Sequence, residues 1–88
     1  MVIVYEYNLD RYKMSDYSLV LIKETPPVTI SNKDNLLVKL ARRINYECKQ
    51  AKADLAVITC TNEFNNREPP YASLDVNYYR KKKSTKLQ

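Results

Sequence analysis

Lys39, Arg42, Arg43, Lys49 and Lys52 fall between Leu36 and Ala53 with only Glu47 against them, and Arg80, Lys81, Lys82, Lys83 and Lys86 crowd the C-terminus with no acid among them. These two clusters hold ten of the fifteen basic residues in an 88-residue chain of net charge +5, so the remainder is mildly acidic. Guanidinium and ammonium groups gathered on one surface neutralise phosphates and release condensed counterions. Tyr46 lies inside the first cluster and Tyr79 leads into the second. An aromatic ring beside cations adds a platform on which a base can stack. The same residues suit an acidic protein surface, where Tyr and Arg are frequent anchors. Lys and Arg are also ordinary helix formers on solvated faces. Such faces usually mix both signs, whereas the Leu36–Ala53 cluster is nearly single-signed.

Reaction chemistry has little to stand on. Histidine is absent, which removes the commonest general base and metal ligand. Cys48 and Cys60 cannot by themselves complete a four-ligand zinc site, and both read as buried core thiols. The carboxylates Glu6, Asp10, Asp16, Glu24, Asp54, Glu63, Glu68 and Asp75 are scattered, with no spacing that marks a catalytic pair. Glycine is also absent, and the phosphate-cradling loops of nucleotide enzymes, the ribonucleoprotein strand motif and the GxxG loop all need it. No catalytic residue, metal site, cofactor or small-molecule substrate is therefore expected. Abundant Lys, Asn, Tyr and Ile match AT-rich coding, a style shared by small phage and mobile-element accessory proteins. No apolar run reaches the ~20 residues that span a bilayer. The MVIVYEYN start does not read as a secretory signal, and the expectation is a cytoplasmic protein, in a host cell if viral.

The elements that position these residues follow from periodicity. Ser31 with Asp34 resembles a capping box. Leu37, Leu40, Ala41, Ile44, Cys48 and Ala51 then form one stripe at helical spacing, which predicts a helix over about 32–52. Lys39, Arg42, Arg43, Tyr46, Lys49 and Lys52 fan across its other side. Val2–Asn8 and Tyr17–Lys23 are rich in β-branched and aromatic residues and read as an antiparallel hairpin, with Tyr5 and Tyr7 on one face. Pro26 and Pro27 interrupt the ladder, and Val28–Ile30 resumes as a short edge segment. Leu55–Thr61 is apolar on both parities and suits a central strand. Residues 62–70 read as a loop, and Ala72–Arg80 alternates as a half-buried strand.

The fold class is thus α+β, with one helix on one face of a mostly antiparallel ββαββ sheet. Residues 1–80 form the domain, and 81–88 form a basic, frayed tail. An exposed edge near Val28 or Ala72 could pair two copies into a homodimer. The charge pattern predicts a non-enzymatic binding module engaging nucleic acid through Lys39, Arg42, Arg43, Tyr46, Lys49 and Lys52, reinforced by Tyr79, Arg80, Lys81, Lys82 and Lys83. The alternative is an accessory protein of phage type that uses the same charges to bind and inhibit a host protein. No membrane partner is expected.

Overall fold

A computed structural model describes residues 2–30, 36–66 and 68–83. Five strands and one α-helix make up the fold: β1 (Val2–Tyr5), β2 (Tyr17–Glu24), β3 (Val28–Thr29), α1 (Leu36–Ala51), β4 (Leu55–Phe64) and β5 (Tyr71–Lys81). The architecture is α+β, with the helix packed against one face of a mostly antiparallel open sheet of order β1-β4-β5-β2, in which β3 pairs with β5 beyond the end of β2. Ser31 and Asp34, the expected helix cap, lie outside the described residues.

The sheet is mixed, and the expected hairpin between the first two strands does not form. β1 runs parallel to β4, with Val2 opposite Leu55 and Tyr5 opposite Ile58, whereas β2 lies antiparallel to β5 at the opposite edge. Residues 6–16 wind into two 3-10 segments, Glu6–Arg11 and Met14–Asp16, instead of turning the chain back beside β1. β1 is apolar on both parities, as a strand in a parallel pair tends to be. It ends at Tyr5, so Tyr7 stacks on the Tyr5 ring at 5.4 Å from outside the strand rather than sharing its face.

Register assigns each side chain to a face. Ile3, Tyr5, Ala56, Ile58, Leu74, Val76 and Tyr78 point at α1, where they meet Leu40, Ile44 and Cys48. Ile44, Ala56 and Val76 are fully buried, and each such aliphatic side chain of Val or Ile size contributes ~1.5–3 kcal/mol by leaving water. Leu55 and Val57 point the other way and are still only 1% exposed. The connection 6–16 covers them: it must cross the sheet from one edge to the other, α1 occupies the first face, and Leu9, Tyr12 and Met14 are half-buried without joining the helix-side core.

A bulge at Thr59, between Ile58 and Cys60, reverses the parity of β4. Without it Cys60 would share the helix-facing side with Ile58; with it Cys60 sits opposite Asp75 and is exposed. The expectation of two buried thiols therefore holds for Cys48 and fails for Cys60. β4 also outruns its expected end, because Asn62, Glu63 and Phe64 find partners on β5 in Ser73, Ala72 and Tyr71. Ala72 pairs on both sides, with Val28 and Glu63, so it is no edge.

Candidate nucleic-acid interface

Along α1, Arg42, Tyr46 and Lys49 occur at i, i+4 and i+7, a spacing that lines them up on one ridge of a helix. All three are exposed, and Tyr46 leaves 54% of its surface to solvent. Arg42 carries no hydrogen bond or ion pair among the described residues. Beside the ridge, the Lys39 ammonium donates to the Thr29 carbonyl at 2.7 Å and ties the helix to β3. The Arg43 guanidinium lies over the Tyr46 ring, 5.7 Å from its centroid. Across from these residues, Pro26 and Val28 complete one wall of an open groove whose other lining includes Leu40, Arg42 and Arg43.

Glu47, the lone acid of the basic segment, is buried. Its carboxylate accepts from Lys23 Nζ at 2.8 Å and pairs with Arg43 Nε at 3.3 Å. It thus bridges α1 to β2 and holds Arg43 at the margin of the apolar stripe. The exposed face of the helix keeps no carboxylate among its described residues. Lys23 escaped the sequence reading, although its place opposite Val76 on the helix-facing parity makes an ion pair with a helix acid a natural outcome.

The helix ends in a Schellman arrangement. Lys52 adopts φ 55°, a left-handed conformation that usually calls for glycine. Its N–H reaches the Lys49 carbonyl at 3.2 Å, and the Ala53 N–H reaches Cys48 at 2.8 Å. Two further carbonyls are satisfied by Arg80, whose Nε donates to Lys52 at 2.9 Å and Nη2 to Ala51 at 2.6 Å. Arg80 is therefore tied down as a clamp on the helix C-terminus, where a cation also opposes the helix dipole.

The second basic cluster is divided by the strand it ends. Arg80 points to the helix side, next to Ala51 and Lys52, whereas Tyr79 and Lys81 alternate to the other face, opposite Leu19 and Tyr17. Lys81 belongs to β5, its N–H bonded to Asp54 Oδ2 at 2.8 Å, and the Lys82 N–H reaches the Asp16 carbonyl at 2.7 Å. The tail expected to begin at residue 81 thus starts later. Lys83 is exposed, and Lys86 lies outside the described residues. Tyr79 and Tyr5 face opposite sides of the sheet, with β4 between their strands, so no shared aromatic face exists.

Two carboxylates do meet. Glu24 and Asp75 sit opposite each other on the face away from the helix. Asn62 Nδ2 donates to Asp75 Oδ1 at 2.9 Å and to Glu24 Oε2 at 3.3 Å, and the Ser73 hydroxyl donates to the same Glu24 oxygen. These bonds offset the repulsion of like charges placed directly across a sheet. Among the described residues no group of three or more His, Cys, Asp or Glu could hold a metal ion, and no helix is long and apolar enough to cross a membrane. On the buried side of the sheet, burial pushes the Cys48 thiol up and the Tyr78 phenol up to about 12. Against protein-family models, curated proteins and solved structures, the chain finds no match.

Proposed function

We propose that this chain is a non-enzymatic binding module whose basic helix ridge engages nucleic acid. The observation that carries the reading is the convergence of Lys39, Arg42 and Arg43 with the half-open Tyr46 ring on one groove, while the nearby acid is turned inward. Phosphate neutralisation by several fixed cations supplies affinity without base specificity, and the exposed tyrosine adds stacking. Lys49 extends the ridge by just under one turn beyond Tyr46. Lys82 and Lys83, exposed past the end of β5, reinforce the contact, whereas Lys81 faces away from the helix.

The test is titration of DNA and RNA with wild type and with Arg42→Glu/Lys49→Glu, two exposed positions whose loss leaves the core intact. Charge reversal should abolish binding at low salt, while the thermal melt falls only by the small dipole cost of an acid in the last helical turn at position 49. Unchanged binding in the variant would remove the helix ridge from the interface.

A second reading, a protein that docks on and inhibits another protein, draws support from a different place. Leu19 and Ile22 are 48% and 67% exposed on β2, an edge strand, and apolar side chains on an unpaired edge invite a partner. Pull-down with nuclease treatment separates the two readings: protein partners that survive nuclease favour docking.

A further inference from the structure

The open groove between α1 and the Pro26–Val28 stretch measures about 500 Å³. Its floor is apolar: Leu40 is buried and Val28 half-buried, with Pro26 beside them. Among the described residues its rim carries the cations Lys39, Arg42 and Arg43 and no carboxylate. Tyr46 completes the lining, with the Arg43 guanidinium already held over its ring.

We propose that this groove seats one unstacked base of a single-stranded nucleic acid, with the adjoining phosphates on Arg42 and Lys39. The inference rests on the nucleic-acid reading above and narrows it. A duplex keeps its base faces stacked inward and presents phosphates outward, so it can use the rim but not the apolar floor. A single strand offers both parts: a flat, largely apolar base and an anion on either side of it. Aromatic rings and guanidinium planes are the two surfaces on which proteins stack splayed bases, and here Tyr46 and Arg43 provide both within one groove. Glu47 and Lys23 hold Arg43 in place through the inward ion pair, and the Lys39 bond to Thr29 fixes the other rim. The site is therefore pre-formed, which lowers the ordering cost of binding.

The experiment is fluorescence anisotropy with a labelled oligothymidine of about 12 nucleotides, comparable to one single-strand site. A duplex of equal length and a strand whose bases are replaced by abasic sites serve as comparisons. Wild type, Tyr46→Ala and Tyr46→Phe are measured side by side; Tyr46 is exposed, so both variants fold. The single strand should bind about tenfold tighter than the duplex, and Tyr46→Ala should cost about tenfold on the base-bearing strand. The same change should leave the abasic strand unaffected, and Tyr46→Phe should retain wild-type affinity. Equal affinity for duplex and single strand, or equal losses on base-bearing and abasic strands, would overturn the base site while leaving the phosphate-binding ridge standing. Absence of any nucleic-acid binding by wild type would remove the broader reading and this one together. Displacement of the oligonucleotide by a glutamate-rich peptide, with Tyr46→Ala affecting only the peptide, would assign the groove to an acidic protein segment instead.

Discussion

Arg80 and Arg42 look alike in the sequence, and the fold gives them opposite duties. Arg80 donates to the carbonyls of Ala51 and Lys52 at the end of α1. Arg80→Ala removes two charge-assisted hydrogen bonds and a cation at the negative end of a helix. Both bonds are at the surface, where water competes for the carbonyls, so the loss is about 1–2 kcal/mol rather than the larger value for buried charged pairs. For a domain of this size that lowers Tm by roughly 5–10 °C. Arg42→Ala touches no partner among the described residues, so its melt should match wild type within about 2 °C. Its oligonucleotide affinity should fall by severalfold. Thermal melts followed by far-UV circular dichroism, paired with binding titrations at fixed salt, read both quantities on the same samples. Arg80→Lys should recover part of the stability, since an ammonium still opposes the dipole but cannot span two carbonyls in the same fork. If Arg80→Ala melts like wild type and loses affinity as Arg42→Ala does, the clamp is wrong and Arg80 belongs to the interface.

Lys52→Gly should raise stability by about 1 kcal/mol, because glycine reaches the left-handed φ of 55° without the Cβ clash; a lower Tm would contradict this. Ile44→Ala, at a fully buried position, should cost about 3 kcal/mol in urea unfolding, against near-zero effect for Val38→Ala at the exposed face. A thiol reagent should label Cys60 in the native protein and Cys48 only after denaturant is added, since one is exposed and the other buried; a Cys60 that resists labelling under native conditions would sink the bulge assignment. The Tyr78 phenol, raised to about 12 from 10, keeps its proton in the fold after the unfolded chain has lost it. Its contribution to stability is therefore whole below about pH 10 and is lost as pH rises towards 12, and Tyr78→Phe should flatten that part of the alkaline stability curve.

The helix was legible because a single stripe from Leu37 to Ala51 has only one period that fits it, and strands β2, β4 and β5 were legible from β-branched runs. Strand partners were not. The run VIVY marks a strand but carries no mark of which neighbour it takes, and the parallel pairing with β4 depends on an 11-residue connection crossing the sheet. Cys60 was misplaced because one extra residue at Thr59 inverts every side chain after it, and no local signal announces a bulge. Glu47 stood in the sequence only as the lone acid amid cations, and its burial depends on Lys23 arriving from a strand 24 positions earlier. Arg80 read as a binding cation for a similar reason: its partners are carbonyls, which every residue has and no sequence distinguishes. The groove depends on Pro26 and Val28 meeting the helix, a juxtaposition written in topology and not in spacing.

The most direct measurement is the salt dependence of oligonucleotide binding by wild-type protein. Four cations, Lys39, Arg42, Arg43 and Lys49, acting on a single strand should give a slope of log affinity against log salt near about −3, which is roughly a fiftyfold loss between about 50 and about 200 mM salt. Arg42→Ala should reduce the slope by about 0.7. A slope near zero, or one that Arg42→Ala leaves unchanged, would contradict the claim that the helix ridge binds phosphates.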